Sequence, residues 1–357
     1  MLHQTLDPSS RMWTTDARAY ERLWFGLQDD AGRLRVTHGT AFYPNLARSE
    51  AFAIVVHDGI HTTVRAYREY SGDRVDLDLP PLSARIVEGL SQWELALATN
   101  PWSIDYQLTW QDTKRPEFRR IGPIEDDDGV ITKAMAGFET FGRATGSLRV
   151  GERTFDATTV GLRGSRDRHW GIRNGVGGRA HWVGDLTRSS LPPYFPGQWV
   201  EFDDFAVWGD VVLRNHDDDR PAERIVGFER RLRFDPTTRL FRAGTVVNHL
   251  EGGGTLTLEF ERLGNQIAFL RCAGYGGPRG GTPNGDVWAG THDGPDTVEA
   301  ETFDLNDPQV QVRLAGLDQH HCVVTCDGEV TQGLFEGYEP ELYERCSAGE
   351  PTFELVV

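Results

Sequence analysis

The chain has 357 residues, a length that is comfortable for two domains, and its 38% hydrophobic content suffices for a core. Acidic residues outnumber basic ones by 54 to 37. The resulting net charge of −17 argues against nucleic acid and against anionic membrane surfaces as partners.

The predicted elements are short strands joined by turns, as 40 glycines and 18 prolines favour. Strand–turn–strand patterns predict four hairpins in chain order: 51–56 with 60–67, 141–150 with 153–162, 225–234 with 240–247, and 255–260 with 267–272. Residues 310–314 alternate as a further strand would, and the strand 322–326 leads into a turn at 327–328.

Only residues 81–96 show a weak helical pattern; Gly89 interrupts it, and a strand fits equally well. Because no helix separates the strands, the sequence predicts an all-β protein of antiparallel barrels rather than a parallel sheet. The Pro- and Gly-containing stretch 187–198 marks the predicted boundary between an N-terminal barrel, 1–186, and a C-terminal barrel, 187–357. A homodimer through an exposed strand edge stays open.

No segment approaches the roughly 18 apolar residues of a membrane span, and residues 1–16 lack a signal-peptide pattern. We therefore expect a cytoplasmic protein with free thiols at its four cysteines: Cys272, Cys322, Cys326 and Cys346. No phosphate-binding loop and no set of metal ligands is visible, so we expect neither a cofactor nor a metal.

The most informative stretch is 164–173, Gly-Ser-Arg-Asp-Arg-His-Trp-Gly-Ile-Arg. A half-buried strand puts apolar groups on one face, whereas this run carries charge on both faces, so part of it must point into a cavity. Strand alternation separates the side chains into two sets: Asp167, His169 and Arg173 on one face, and Arg166, Arg168 and Trp170 on the other.

A carboxylate beside an imidazole suits general acid/base chemistry, so Asp167 and His169 are candidate catalytic residues. Glu139 is a second candidate carboxylate, because the run 138–143 would pair with the motif strand if the 141–162 hairpin forms. A surface ladder of ion pairs is the alternative interpretation. The sequence leaves open whether Asp167 is ion-paired with Arg173 or protonated in an apolar pocket.

Aromatic and basic side chains supply the candidate substrate-binding residues. Trp102, Tyr106 and Trp110 recur at a spacing of four, for which core packing is the stronger interpretation and pocket lining the weaker one. The full set of substrate-binding candidates is Arg166, Trp170, Arg173, Trp182, Trp102 and Tyr106.

Residues 164–171 resemble the Asp-His-Asn-Trp-Gly motif of the carotenoid 1,2-hydratase and AttH-like family. They also resemble the Gly-x-Arg-Asp-x-Ser-Trp-Gly-x-Arg signature of its uncharacterised bacterial members. The aromatic-Glu-x-x-Gly strand that precedes that signature is matched by 138–142. The resemblance implies two tandem lipocalin-like β-barrels, with Asp167 protonating an isoprenoid double bond and Trp170 stabilising the cation.

The chain departs from the family motif at two positions, with Arg168 in place of a His and His169 in place of an Asn or Ser. The surrounding arginines suit a carboxylate, phenolate or enolate better than a naked polyene. Fungal lipocalin-like cyclases of the Diels–Alderase type share the tandem-barrel plan, so the fold alone does not fix the reaction.

The sequence therefore predicts a cofactor-free acid/base enzyme acting on a hydrophobic terpenoid, steroid-like or polyketide-like small molecule. Hydration, dehydration, isomerisation and cyclisation all fit. Asp167 would be the acid, His169 its relay partner and Arg173 the clamp for an oxyanion or carboxylate. The alternatives are a non-catalytic carrier of a hydrophobic small molecule and a structural protein whose motif braces the two barrels.

Overall fold

Two largely antiparallel β-sheets with little helix form the computed structural model, and the predicted all-β class with tandem lipocalin-like units is confirmed. The structure describes residues 14–70, 77–89, 91–126, 128–184, 197–275, 281–338, 342–344 and 353–355. The predicted boundary at 186/187 and Cys346 lie outside the described residues.

The first sheet has 13 described strands. They are β1 Ala19–Gln28, β2 Leu34–Tyr43, β3 Arg48–His57, β4 Ile60–Glu69, β5 Asp78–Leu79, β6 Leu82–Glu88, β7 Gln92–Leu97, β8 Ile104–Asp112, β9 Glu117–Glu125, β10 Ile131–Val150, β11 Arg153–Asp156, β12 Arg163–Arg173 and, from later in the chain, β19 Thr297–Asp304. Their order is β19-β4-β3-β2-β1-β12-β10-β8-β7-β6-β5, with β9 and β11 paired to β10. The sheet curls until β5 and β6 approach β3, so it forms an open half-barrel.

The second sheet has nine described strands. They are β13 Gln198–Glu201, β14 Phe205–Trp208, β15 Val211–Arg214, β16 Glu223–Phe234, β17 Phe241–Leu250, β18 Thr255–Phe269, β20 Leu317–Cys326, β21 Glu329–Tyr338 and β22 Phe353–Leu355. All except β22 close into a barrel, because β15 at one end of the order also pairs with β16. The α-helix α1 spans Pro308–Leu314, and 3-10 turns span Pro44–Leu46, Arg179–His181 and Leu270–Ala273.

Apolar residues pack in three clusters, one inside each sheet and one between the two sheets. The cluster between the sheets joins Tyr20 and Trp24 of the first to Trp199, Trp208 and Phe269 of the second. One outer face of each sheet is therefore buried against the other, and this shared layer contains the candidate site described below.

Most of the predicted hairpins are confirmed. Strands β3 and β4 join through Asp58 and Gly59, β10 and β11 through residues 151–152, β16 and β17 pair, and β20 turns into β21 at residues 327–328. The ambiguous segment 81–96 forms the hairpin of β6 and β7, so the strand interpretation is right there. Among the described residues, Cys272, Cys322 and Cys326 are buried and form no disulfide bond.

Two predicted elements are wrong. Residues 255–272 do not turn back: β18 runs straight through, and a register shift against β20 between Arg262 and Ile267 absorbs Gly264 as an irregularity. Residues 310–314 belong to α1 instead of a strand, because the Asp307 side chain accepts a hydrogen bond from the Gln309 N–H and Pro308 occupies the first turn. No helix in the described part of the chain is long and apolar enough to cross a membrane.

Candidate functional site

The motif strand β12 lies at the centre of the first sheet, between β1 and β10. Its register places Asp167 directly beside Trp24 on β1 and Glu139 on β10, so the predicted pairing of the Glu139 strand with the motif is correct. The alternation also follows the prediction, since Asp167, His169 and Arg173 line one cavity.

Glu139 and His169 form the centre of a buried polar chain. Glu139 is fully buried; its Oε1 lies 3.0 Å from His169 Nε2, and its Oε2 accepts a hydrogen bond from Arg119 Nη1 at 2.8 Å. On the other side of the ring, Nδ1 lies 3.6 Å from Asp167 Oδ1 and makes no hydrogen bond among the described residues. The imidazole is therefore hydrogen-bonded at Nε2, whereas Nδ1 lies near the Asp167 carboxylate without a hydrogen bond to it.

Asp167 pairs with Arg22, a residue of β1, and this partner was not predicted. Arg22 Nη2 donates to Asp167 Oδ2 at 3.0 Å and to Oδ1 at 3.3 Å. The Arg22 guanidinium also lies over the Tyr275 ring, 5.6 Å from its centroid. Asp167 is therefore ion-paired, and its cation is Arg22, which the sequence analysis did not name.

The cavity beside this cluster has a volume of about 330 Å³ and lies between the two sheets. That volume is at the lower end of the ~300–1,000 Å³ usual for small-molecule sites. Its apolar wall combines Trp24 and Met135 from the first sheet with Trp199, Trp208 and Leu317 from the second. Neither sheet encloses this space alone.

Basic groups outnumber acidic ones around the cavity, although the chain as a whole is acidic. Six basic side chains line it: Arg22, Arg119, Arg120, Lys133, Arg173 and Arg224. Three carboxylates line it as well: Asp167, Asp210 and Glu336. Ion pairs with Asp167 and Asp210 neutralise part of this charge, and the remaining excess favours a ligand that carries a negative charge.

Lys133 and Glu336 are among the cavity residues whose pKa values depart from their ordinary range. Burial, together with the neighbouring Arg173, Arg119 and Arg22, lowers the pKa of Lys133 to about 7. Burial raises the pKa of Glu336, although a hydrogen bond from Gln319 at 2.6 Å favours its ionised form. An amine that exchanges its proton near neutral pH, as Lys133 does, is a common property of functional sites.

The structure places most of the predicted substrate-binding side chains away from this cavity. Arg166 points into the first sheet's own core, where it donates to Asp112 at 2.8 and 2.5 Å and lies over Trp93. Trp102 and Tyr106 belong to the same core, and the Tyr106 hydroxyl lies 2.6 Å from His38 Nδ1. For Trp102 and Tyr106 the core interpretation therefore fits better.

Two tryptophans are also remote from the cavity lining. Trp170 packs against Phe118 and Phe138 on the far face of β12, with ring centroids about 6 Å apart. Trp182 meets Trp288 edge-on at 5.9 Å. Of the six predicted substrate-binding residues, Arg173 is the one that lines the cavity.

Several residues that line the cavity could not be predicted as site residues from the sequence alone. Arg22, Arg119 and Glu336 lie far from the motif in the chain and reach it only through strand pairing and sheet packing. Lys133 could have been noticed, because it is one of only two lysines in the sequence. Among the described residues, no three His, Cys, Asp or Glu side chains are grouped as a metal site requires.

Comparison with known proteins gives a matching family model and similar solved structures. No curated protein matches the chain. One similar solved structure is a candidate AttH from Nitrosomonas europaea, 14% identical, covering 89% of this chain and 91% of that chain with a TM-score of 0.46. Another is CghA with Sch210972, 12% identical, covering 90% and 89% with a TM-score of 0.44. At such identities and TM-scores, these likenesses do not say what this chain binds or converts.

A sequence model for a family of unknown function (DUF8625) matches residues 1–211. The match includes all of β1 to β14 and with them Glu139, Asp167 and His169. Because it spans more than half of the chain, the protein belongs to this family of unknown function.

Proposed function

We propose that the protein is a cofactor-free acid/base enzyme that moves a proton to or from a small acidic molecule held between the two sheets. The observation that carries the proposal is His169, which is anchored through Nε2 while Nδ1 has no hydrogen-bond partner among the described residues. The reactions that fit are hydration, dehydration, isomerisation or cyclisation of a terpenoid, steroid-like or polyketide-like compound.

The anchoring of the ring determines what each nitrogen can do. When Glu139 accepts the Nε2 proton, the neutral imidazole presents a lone pair at Nδ1 and can act as a base. Once protonated, the ring lies between the Glu139 carboxylate at 3.0 Å and the Asp167 carboxylate at 3.6 Å, and both stabilise the cation. The same nitrogen then returns the proton as an acid.

We propose His169 as the proton donor, in place of Asp167, to which the sequence resemblance assigns that role. Asp167 is engaged by Arg22, and its position beside Nδ1 suits a carboxylate that orients the ring and balances its charge. Glu139 orients the ring from the opposite nitrogen. Both carboxylates are therefore positioning residues in the proposal.

The cavity lining favours a compact amphipathic ligand. Indole rings of Trp24, Trp199 and Trp208 would hold an apolar body, and Arg173 and Arg120 would hold a carboxylate, phenolate or enolate. A volume of about 330 Å³ suits a small ring system better than a full-length polyene.

Native mass spectrometry combined with small-molecule extraction tests whether the cavity is occupied and used. We expect wild-type protein to bind an acidic small molecule from its host and His169→Gln to accumulate the unconverted form. Trp170→Phe is the matched control, because it changes the neighbouring residue on the opposite face of β12. It should behave as wild type.

The alternatives give different outcomes in the same experiment. A non-catalytic carrier would release the same molecule, with unchanged mass, from wild type and from His169→Gln. A bracing protein would release nothing, and the substitution would lower its melting temperature without any effect on ligand. Either result would contradict the proposed enzyme.

A further inference from the structure

The chain uses lysine at only two of its 37 basic positions, Lys114 and Lys133, and arginine at all the others. The two residue types are not equivalent, because the guanidinium group keeps its proton in proteins, whereas a lysine amine can lose it and become a nucleophile. The surroundings of these two lysines therefore decide whether the chain holds a reactive amine.

Lys114 is held by hydrogen bonds. Its Nζ donates to the carbonyl oxygens of Phe202 at 2.8 Å and Asp203 at 2.9 Å and to Asn215 Oδ1 at 2.5 Å. These three acceptors use all three N–H groups of an ammonium, and Glu201 lies 3.8 Å away. Lys114 has the environment of a structural cation.

The amine of Lys133 has surroundings unlike those of Lys114. Lys133 lines the cavity between the sheets, and its amine has no hydrogen bond or ion pair with any described residue. The strand register sets it directly opposite Arg173 on β12, where a second positive charge is unfavourable. Register shifts between β9 and β10 flank Lys133 on both sides, and such irregularities re-aim side chains next to functional sites.

The charged groups around the cavity disfavour the protonated amine on balance. Those that share the cavity with Lys133 are Arg22, Arg119, Arg120, Arg173, Arg224, His169, Asp167, Asp210 and Glu336. Burial is the largest influence on the Lys133 pKa; the cations Arg173, Arg119 and Arg22 act in the same direction, and Glu336 acts against them. A substantial share of Lys133 is therefore neutral at neutral pH.

We propose that Lys133 captures the ligand covalently, by condensing with an aldehyde or ketone group of a molecule that also carries a carboxylate. The amine nitrogen attacks the carbonyl carbon and forms a C–N bond, and the carbonyl oxygen leaves as water. That water takes one proton from the amine and one from solvent, so the product is a protonated iminium. The inference rests on the proposed function to the extent that both use this cavity.

The neighbouring arginines and His169 complete the chemistry. Arg173, directly opposite Lys133, would bind the carboxylate while the amine holds the adjacent carbonyl carbon. An iminium acidifies the C–H bond beside it, and His169 Nδ1 would take that proton while the C–H electron pair forms the C=C bond of an enamine. Capture by Lys133 thus prepares the proton transfer assigned to His169.

Reductive trapping of the full-length protein with cyanoborohydride tests the inference, since the only primary amines are two lysines and the chain terminus. Two carbonyl probes are used, ¹³C-formaldehyde and phenylpyruvate, and peptide mass mapping locates the adducts. We expect phenylpyruvate to label Lys133 at least about tenfold faster than Lys114 at pH 7, with a rate midpoint near pH 7. Lys133→Met should lose the adduct.

Two results would overturn the proposal. Equal labelling of the two lysines by formaldehyde would show that Lys133 is an ordinary amine. Formaldehyde labelling of Lys133 without any phenylpyruvate adduct would reject an acidic carbonyl compound as the ligand class. Neither readout requires turnover, so trapping can fail while His169→Gln still blocks conversion, and the two proposals remain distinguishable.

Discussion

Gly137 leaves the space that the His169 ring occupies. The two residues face each other across β10 and β12, and a Cβ on Gly137 would lie 2.1 Å from His169 Cδ2, far inside contact distance. Gly137 keeps an ordinary backbone conformation, so the requirement for glycine here is steric. The position of the imidazole therefore depends on a missing side chain as well as on Glu139.

We predict that Gly137→Ala displaces His169 from Glu139 and lowers conversion of the cavity ligand at least about tenfold, because sub-ångström positions matter to proton transfer. Gly227→Ala is the matched control: it is also a strand glycine of ordinary conformation, and the nearest atom to its new Cβ would be 3.6 Å away. Turnover measurements on both variants check this. Equal activity in the two would show that the ring position is unimportant.

For single residues, the sequence predicts which side chains of the motif share a strand face. It does not predict which residues from other strands pair with them. A period of two suffices to group Asp167, His169 and Arg173, because alternation is a property of the strand itself. The Arg22 partner of Asp167 is 145 residues away in the chain. Only the pairing of β1 with β12 brings them together, and nothing local to the motif encodes that contact.

The strand β12 carries charged side chains on both of its faces. Toward the cavity it presents Asp167 and His169, and on its other face Arg166 and Arg168 form buried pairs with Asp112 and Glu21. The two arginine pairs explain why a strand inside a β-sheet tolerates charge on both faces. Each buried cation has a carboxylate with two hydrogen bonds to it.

We predict that Arg166→Met destabilises the protein by about 3 kcal/mol, because it leaves Asp112 buried without its cation. Adding Asp112→Leu should recover most of that loss, since the uncompensated charge is then removed. Denaturant unfolding measures both variants, and conversion per folded molecule should stay near wild type. A change in conversion without a change in stability would place Arg166 in the site after all.

Strands and helices were predictable from the sequence where a turn motif bounds them. They were less predictable where strand pairing or helix-capping residues determine the local structure. Asp58 and Gly59 specify a hairpin because both adopt positive φ in the turn. Gly264 also has positive φ, yet it sits within β18, because pairing with β20 resumes beyond it. The alternation of Val310, Val312 and Leu314 was overridden by the helix-start signals at Asp307 and Pro308.

At the scale of the whole molecule, the cavity exists because two curved sheets pack face to face. Trp199 and Trp208 of the closed barrel cover the charged face of the half-barrel, and Trp208 meets the His169 ring edge-on at 5.9 Å. The tandem arrangement was predictable from repeated hairpins. The placement of a site between the sheets was not, since the sequence carries no mark of which outer faces meet.

The whole molecule has a negative net charge, whereas the side chains that line the cavity are mostly basic. The chain carries −17, whereas six basic and three acidic side chains line the cavity. Screening limits the reach of surface charge to about 8 Å at physiological ionic strength, so the local arginines govern what binds. An acidic ligand is therefore compatible with an acidic protein.

The most direct test of proton transfer at His169 is deuterium incorporation. Wild type and His169→Gln are incubated in D₂O with the acidic small-molecule fraction of the cells that make the protein, and the products are followed by mass spectrometry. The account predicts a product carrying deuterium on carbon with wild type and none with His169→Gln. Binding without any deuterated or altered product in wild type would contradict the enzyme and leave a carrier.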